Sequence, residues 1–190
     1  MLALASGAAD QPKFTVEPAH SYPNRQTIEG VTVAADVLDT ADKARPAFGK
    51  VNPYQYGVLP VLVVIRNDTG KALSLAGMQL EYIAPDRSKI EPTPAPEVPY
   101  ITGNRQRKVI QNPIPTGIPT IKGKNPLGAA EIQNRAFAAK MLPPGDSAHG
   151  FFYFQAVHRS GSRLFLRGIA EAATKRELFY FEIDLPEAAR

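Results

Sequence analysis

The chain has 190 residues, of which 44% are hydrophobic and 21% charged, so it is long enough to bury the core of one domain. Its 18 prolines argue against a protein of long helices, because each proline lacks a backbone donor. The sequence contains no cysteine, which excludes disulfides, zinc ribbons, iron–sulfur sites and a thiol nucleophile.

Residues 1–12, MLALASGAADQP, are apolar and rich in small residues before they become polar. They resemble the end of a secretory signal that lacks its positively charged start, with Ala5, Gly7 and Ala8 at the place of a processing site. We therefore expect a periplasmic or secreted protein in which residues 1–12 are a signal-peptide remnant or a flexible tail. Residues 13–190 are expected to form a single domain. Because no run of 18 apolar residues occurs, no transmembrane segment is expected.

Strand patterns run through the first 91 residues. The densest β-branched run, VLPVLVVIR at residues 58–66, predicts a central strand whose Pro60 lies at an edge or a bulge. In residues 73–83 the apolar alternation slips by one position at Ala76 and Gly77, which predicts one strand with a β-bulge. Further strands are predicted at residues 14–16, 31–37 and 89–91.

Two helices are predicted. Residues 39–49 fit a short helix with Asp39 or Thr40 as its cap and Gly49 at its end, although Pro46 weakens it. The second prediction is more convincing, because Asn125 is a good cap and Pro126 suits the first helical position. The face of this helix is predicted to carry Leu127, Ala130, Asn134, Phe137 and Met141.

Residues 92–140 interrupt the strand pattern. The part up to residue 124 contains seven prolines and no steady period, which predicts a long, irregular, proline-rich insertion. Seven basic and two acidic residues give residues 92–140 a net charge of +5, and since the whole chain carries +4, the remainder carries −1. Long loops in compact domains are usually functional or disordered. The alternative is a solvated loop surface, because scattered basic side chains mostly serve solubility.

The C-terminal part predicts a meander of three strands at residues 150–157, 163–169 and 177–185. In the third strand, alternation places one set of side chains in the core: Phe179, Phe181, Ile183 and Leu185. The consecutive aromatic residues 151–154 must point to both faces of their strand. Either the second face is covered by the helix or the long loop, or its aromatic side chains are exposed for a partner.

No motif for catalysis, a cofactor or a metal stands out. Asp146, Ser147 and His149 are close in sequence, but no Gly-x-Ser-x-Gly elbow occurs, so a turn before a strand explains them better than a catalytic triad. A turn also accounts for the glycosylation sequon at residues 67–69. The histidines lack metal-ligand spacing and are predicted to lie at surface turns: His20, His149 and His158. We therefore predict no enzyme, no catalytic residue, no cofactor and no metal site.

Three segments together resemble a known type of domain. Residues 58–75, 141–154 and 179–185 follow a scheme of strand, Asn-containing turn and strand, then a Pro-Gly turn into an aromatic strand. This scheme resembles the immunoglobulin-like domains of bacterial extracytoplasmic and lipoprotein-type proteins, over about half of the chain. The resemblance implies an all-β fold, an antiparallel immunoglobulin-like β-sandwich, and an uncharacterised binding or accessory role.

The function expected from the sequence is a non-catalytic, exported binding or accessory domain. It would contact a protein or an envelope polymer through the basic insertion and nearby aromatic side chains. The alternative is a carbohydrate or small-ligand binding module that uses exposed strand aromatics. A nucleic-acid partner is not expected, because the basic stretch lacks interleaved aromatics, and no oligomeric state is predicted. The candidate binding residues are Tyr54, Tyr56, Tyr100, Arg105, Arg107, Lys108, Lys122 and Lys124.

Overall fold

The computed structural model of the chain describes residues 14–101 and 125–189. The strands in this part are β1 (Arg25–Ile28), β2 (Val31–Val37), β3 (Leu59–Asn67), β4 (Leu73–Ser74), β5 (Gln79–Ile83), β6 (Lys89–Ile90), β7 (Met141–Leu142), β8 (Ser147–Phe154), β9 (Arg163–Arg167), β10 (Ala170–Glu171) and β11 (Phe181–Asp184). The helices are α1 (Ala41–Phe48), α2 (Ala130–Asn134) and the 3₁₀ helices Ala19–Ser21, Pro53–Tyr56, Val98–Tyr100 and Pro126–Gly128.

The strands form two four-stranded sheets and one small sheet. Sheet 1 has the order β1-β2-β3-β8, and sheet 2 has the order β11-β9-β5-β6. The small sheet has the order β10-β4-β7. Every pair between these strands is antiparallel, so the predicted all-β fold class is confirmed.

The main core lies between sheets 1 and 2. Val33 and Val63 of sheet 1 belong to the same buried cluster as Leu80 and Leu164 of sheet 2. Each of these side chains is at most 3% exposed, and burial of such a side chain stabilises a fold by about 1.5–3 kcal/mol.

Sheet 1 is also covered on its outer face, which distinguishes it from sheet 2. Val64, Phe151 and Tyr153 on this face form a second buried cluster with Phe48 of α1. This covering explains why β3 is apolar on both faces instead of alternating. In sheet 2, every second residue of β9 is buried, and the others are exposed except for the half-buried Phe165, because only one of its faces meets the core.

The predicted strand at residues 73–83 is two strands. A turn closed by the Met78 N–H bonding to the Leu75 carbonyl separates β4, in the small sheet, from β5, in sheet 2. The slip of phase therefore marks a change of sheet, and the predicted β-bulge is wrong. Residues 14–16, predicted as a strand, have no assigned secondary structure.

The predicted C-terminal meander is also wrong. β8 pairs with β3 in sheet 1, whereas β9 pairs with β5 and β11 in sheet 2, because the chain crosses the core after β8. Phe181 and Ile183 are buried as predicted, but Phe179 is 65% exposed because it precedes the first paired residue of β11.

The first helix prediction is confirmed and the second is too long. The Thr40 side chain accepts the Lys43 N–H at the start of α1, and Gly49 ends it at φ 64°. α2 stops at Asn134 because the next residues bond to β8 instead. The Phe151 N–H donates to the Arg135 carbonyl at 2.8 Å, and the Phe137 N–H donates to the Phe151 carbonyl at 3.1 Å.

Asn67, the last residue of β3, is fully buried and joins separate segments. Its amide nitrogen donates to the carbonyl oxygens of Lys71, Leu142 and Pro143 at 2.7, 3.0 and 3.0 Å. Its amide oxygen accepts the N–H and the hydroxyl of Thr69 at 3.1 and 2.7 Å. Asn67 thus fastens the turn after β3 to the turn before β8, and its burial excludes a glycan on this side chain in the folded protein.

Replacing Asn67 tests this junction. We expect Asn67→Asp to lower the free energy of unfolding by about 2–4 kcal/mol at pH 7, because a carboxylate oxygen would face three carbonyl oxygens. Urea unfolding measures the loss. The loss should shrink at acid pH, where the protonated carboxyl can donate again. Gln133→Glu makes the same chemical change at an exposed side chain and should cost little; an equal loss in both variants contradicts the assignment.

Glu171 of β10 holds the small sheet to its neighbours. Its side chain is 7% exposed and lies 2.8 Å from an Arg176 guanidinium nitrogen and 2.9 Å from the Lys71 Nζ. The Thr174 hydroxyl also donates to it at 2.8 Å. These hydrogen bonds, from Arg176 first and then from Lys71 and Thr174, lower the pKa of Glu171 from its ordinary 4.5 to about 2.

A depressed carboxyl pKa contributes stability that is present above the unfolded value and lost as the pH falls through the folded one. Glu171→Gln should therefore lower the melting temperature at pH 7. The difference from the unmodified protein should narrow as the pH falls from 4.5 to about 2. Glu187→Gln, at an exposed carboxyl, is the matched control. A melting-temperature difference that does not change with pH would show that the Glu171 charge contributes nothing.

Candidate functional site

Two stretches within the predicted insertion of residues 92–140, one on either side of residues 102–124, lie together on the outer face of sheet 1. Val98 and Leu127, one from each stretch, are buried in the same cluster, and their two 3₁₀ helices contact each other. The Asn125 side chain donates to the Pro99 carbonyl and accepts the Leu127 N–H. These contacts hold residues 98–101 beside residues 125–128 on this face. We call residues 98–101 and 125–128 the insertion base.

The structure brings two of the three predicted tyrosines to the insertion base. Tyr100 is part of it and is 83% exposed. Tyr56 packs on the outer cluster of sheet 1, in a 3₁₀ helix that contacts Pro126–Gly128. Tyr54 packs on the inner core instead, where its hydroxyl accepts the His158 N–H at 3.0 Å.

The predicted basic residues lie outside the described residues. They all fall within residues 102–124, which contain five basic and no acidic residues and so carry +5, while the rest of the chain carries −1. The positive excess of the chain is thus confined to the segment that the insertion base delimits. The residues concerned are Arg105, Arg107, Lys108, Lys122 and Lys124.

A groove of about 700 Å³ also lies on the outer face of sheet 1. Its walls are Phe14 and the end of α2, and its floor is Gly150 and Phe151. The Phe14 ring packs 5.5 Å from the Phe151 ring, and the Arg135 guanidinium lies 4.9 Å from the Phe14 ring centroid. Sequence analysis missed this groove, because nothing local to Phe14 indicates that it packs on β8.

Tyr153 holds α2 in place beside this groove. Its hydroxyl donates to the Ile132 carbonyl at 2.6 Å, which satisfies an acceptor near the end of the helix. Burial raises the pKa of the Tyr153 phenol above its ordinary value of 10.0, so the hydroxyl remains a donor even at alkaline pH near 10.

A second groove of about 580 Å³ adjoins the first at Val16 and His149. Arg66 and Asp68 form an ion pair of 2.8 Å at its side. Ser147 lines it together with His149, but no hydrogen bond joins the two side chains among the bonds of residues 14–101 and 125–189. Within those same ranges, no group of three or more His, Cys, Asp or Glu residues could hold a metal ion. Acidic and basic side chains line both grooves, as is usual for a solvated protein surface.

The aromatic residues 151–154 are covered. Phe151 and Tyr153 lie under Phe48 of α1, with ring centroids 5.0 and 6.3 Å away, and Phe154 is buried in the inner core. Phe152 is half-buried and stacks on Phe137 at 5.3 Å. A ligand site built on exposed aromatics of this strand, the alternative function, is therefore wrong, because α1 and the ends of the insertion occupy its face.

His20 and His149 are exposed as predicted, but they lie in a 3₁₀ helix and in β8 instead of in turns, and the prediction is wrong for His158. His158 is 4% exposed, and its Nε2 lies 2.8 Å from the Pro186 carbonyl oxygen. Its Nδ1 lies 3.2 Å from the hydroxyl of Tyr82, which bonds in turn to Ser162 at 2.7 Å. These contacts give His158 a structural place between the core and the C-terminal residues.

No protein-family model matches this chain, and no curated protein matches its sequence. Among solved structures, it is similar to a secreted protein from Mycobacterium tuberculosis, MPT63, with 10% identity over 83% of this chain and 91% of that one, at a TM-score of 0.38. It is also similar to the yjhA protein from Bacillus subtilis, with 10% identity over 87% of this chain and 98% of that one, at a TM-score of 0.41. Likenesses at these TM-scores do not assign a function. No helix within the described ranges is long and apolar enough to cross a membrane.

Gly150 provides a test of how the groove is built. A Cβ at this position would lie 2.4 Å from the Phe137 Cα and 2.6 Å from its nitrogen, so only glycine allows the close approach of the chain after α2. Gly150→Ala should lower the free energy of unfolding by about 1–3 kcal/mol. It should also speed hydrogen exchange of the Phe137 amide. In the control Gly128→Ala, the nearest atom is 4.0 Å away, and a loss as large as that of Gly150→Ala would contradict this explanation.

Proposed function

We propose that the protein is a non-catalytic, exported binding domain that contacts an acidic protein or an anionic envelope polymer through residues 102–124 and the insertion base. The observation that carries the proposal is the anchoring of both ends of the insertion by Asn125, Val98 and Leu127. A segment of charge +5 is thereby attached at one place on the surface, beside the exposed Tyr100.

The charge distribution supports an acidic or anionic partner. Outside residues 102–124 the chain carries −1, so an acidic partner is attracted to the insertion rather than to the protein as a whole. Tyr100 adds a large amphipathic ring at the edge of this charged segment, and tyrosine and arginine are enriched where proteins bind partners. Export is part of the proposal because of the small and apolar residues of the first 12 positions.

An immunoglobulin-like sandwich is the fold proposed for this domain. Support comes from the order of strands, in which β2-β3-β8 match the A-B-E strands of such a sandwich. β11-β9-β5-β6 match its G-F-C-C′ strands in the same way. In this scheme β1 is an extra edge strand, and the insertion lies between the C′ and E strands.

Neutralising the insertion tests the proposal. We expect the protein to bind poly-L-glutamate and polyphosphate at low salt, and binding to weaken as salt screens the charges. Changing the five basic residues of 102–124 to glutamine should weaken binding about tenfold or more, measured by fluorescence anisotropy. The substitutions are Arg105→Gln, Arg107→Gln, Lys108→Gln, Lys122→Gln and Lys124→Gln.

The control removes the same net charge elsewhere. It changes five exposed basic residues, for which no ion pair is found among the described residues, and it should leave binding within about twofold. Equal losses in both variants, or binding of a single-stranded DNA oligonucleotide as tight as that of poly-L-glutamate, would contradict a specific role for the insertion. The control substitutions are Lys50→Gln, Arg87→Gln, Arg159→Gln, Arg167→Gln and Lys175→Gln.

A further inference from the structure

We propose that the buried His158 carries hydrogen on both ring nitrogens, and that loss of one of these protons releases residues 186–189 from the rest of the domain. We call residues 186–189 the strap. The inference rests on a count of the hydrogen atoms available to the bonds around the ring, and it does not depend on the role proposed for the insertion.

The strap is attached by hydrogen bonds, because none of its side chains is fully buried. The Pro186 carbonyl oxygen lies 2.8 Å from the His158 Nε2. The Ala188 N–H donates to the Ser160 hydroxyl at 3.2 Å. Leu185, which precedes the strap, is 5% exposed and belongs to the main core. The chain is therefore held by packing up to Leu185, and beyond it a few bonds decide whether the strap stays in place.

On one side of the His158 ring, three hydrogen bonds in series end at a carbonyl. The Nδ1 lies 3.2 Å from the Tyr82 hydroxyl, which donates to the Ser162 hydroxyl at 2.7 Å. The Ser162 hydroxyl donates to the Arg159 carbonyl at 2.6 Å. A carbonyl only accepts, and each hydroxyl has one hydrogen to donate. Because both hydroxyl hydrogens are used in the other two bonds, the bond to Tyr82 requires a hydrogen on Nδ1.

On the other side of the ring, Nε2 faces the Pro186 carbonyl, which also only accepts. This bond requires a hydrogen on Nε2. A ring with hydrogen on both nitrogens is the positively charged imidazolium, whereas the neutral ring has one hydrogen and cannot donate to both neighbours. The bonds around His158 are therefore complete only while the ring is charged.

The strap is the partner that a neutral ring gives up. Tyr82 and Ser162 are at most 1% exposed, so water cannot replace a hydrogen that Nδ1 no longer supplies. Pro186 is half-buried, and water can reach its carbonyl. The single hydrogen of the neutral ring is therefore kept on Nδ1. The Nε2 lone pair then faces the Pro186 carbonyl oxygen, and this contact becomes repulsive.

The ionisable groups near His158 come from each segment around it. β5 contributes the Tyr82 phenol, and the Tyr54 hydroxyl accepts the His158 N–H at 3.0 Å. The side chains of Arg159, next in sequence, and of Glu187, in the strap, are exposed. Among residues 14–101 and 125–189, no carboxylate forms an ion pair with the ring. Hydrogen bonds, and not a counter-ion, therefore hold the second proton.

Asp39 fastens the far end of the strap and keeps its charge near neutral pH. Its Oδ2 accepts the Ala189 N–H at 2.8 Å, and its Oδ1 lies 3.0 Å from the Lys43 Nζ. Although burial opposes ionisation, these bonds lower the pKa of Asp39 below its ordinary 3.8. Histidine side chains ordinarily change charge between about pH 5 and 8. Because Asp39 stays ionised in that range, a change of the strap there is due to His158.

Nitrogen-15 NMR of the histidine rings tests the proposal. At about pH 5 both His158 nitrogens should carry hydrogen, and at about pH 8 Nε2 should have lost its hydrogen. Over the same range, exchange of the Ala188 amide, corrected for the intrinsic rate at each pH, should become about tenfold faster, as expected for the loss of one hydrogen bond. The exposed His149 is the reference for the titration.

Ser162→Ala gives a result that a mere loosening of the fold would not give. Without the Ser162 hydroxyl, the Tyr82 hydroxyl can donate to Nδ1, so a neutral ring with hydrogen on Nε2 satisfies both neighbours. The strap should then stay attached at about pH 8, and Ala188 exchange should change less than about twofold between the two pH values. Ser147→Ala, at an exposed serine of β8, is the matched control and should keep the tenfold change.

Three results would overturn the proposal. The first is a His158 ring with hydrogen on only one nitrogen at about pH 5. The second is corrected exchange of the Ala188 amide that does not change between about pH 5 and 8. The third is a Ser162→Ala variant that keeps the pH dependence of the unmodified protein. If Ser162→Ala does not fold, Tyr82→Phe replaces it, because this variant removes the acceptor of Nδ1 and should also abolish the pH dependence.

Discussion

The burial of sheet 1 on both faces is the constraint on which the rest of this structure depends. β3 has apolar side chains on both sides, so a second layer must cover the face that does not meet sheet 2. α1, the residues from Phe14 onward and both ends of the insertion provide that layer. The same contacts that exclude water from Val64 and Phe151 therefore fix the position of the insertion base. The position of the candidate binding surface is a consequence of core packing.

Sheet 2 follows the opposite rule. Only one of its faces meets the core, so Leu164 and Ile183 are buried. The other face of the same two strands carries the charged residues Arg163, Arg167, Glu182 and Asp184. An antiparallel sheet of this kind keeps a solvated face whose side chains can change with little effect on packing. Tyr180 is the exposed member of an aromatic pair on this face, and its ring packs on the half-buried Phe165.

Much of the fold could be predicted where the signal is local. The continuous apolar run of β3 and the Thr40 cap of α1 with Gly49 at its end act within a few residues. β1 was missed because its hairpin turn places Glu29, an unusual residue at φ 47°, before Gly30. The sheet to which a strand belongs depends on distant partners, which no local pattern contains. For the same reason the insertion was recognised from its prolines and charge, whereas the groove between Phe14 and Arg135 was not.

The fold accommodates the insertion because contacts within the insertion base hold residues 98–101 and 125–128 together. Burial of Val98 and Leu127 contributes about 1.5–3 kcal/mol for each side chain, and Asn125 adds bonds across the base. Doubling the length of a loop between fixed ends costs only about 0.6 kcal/mol. The burial of these two anchors therefore exceeds the cost of closing a longer connection between them.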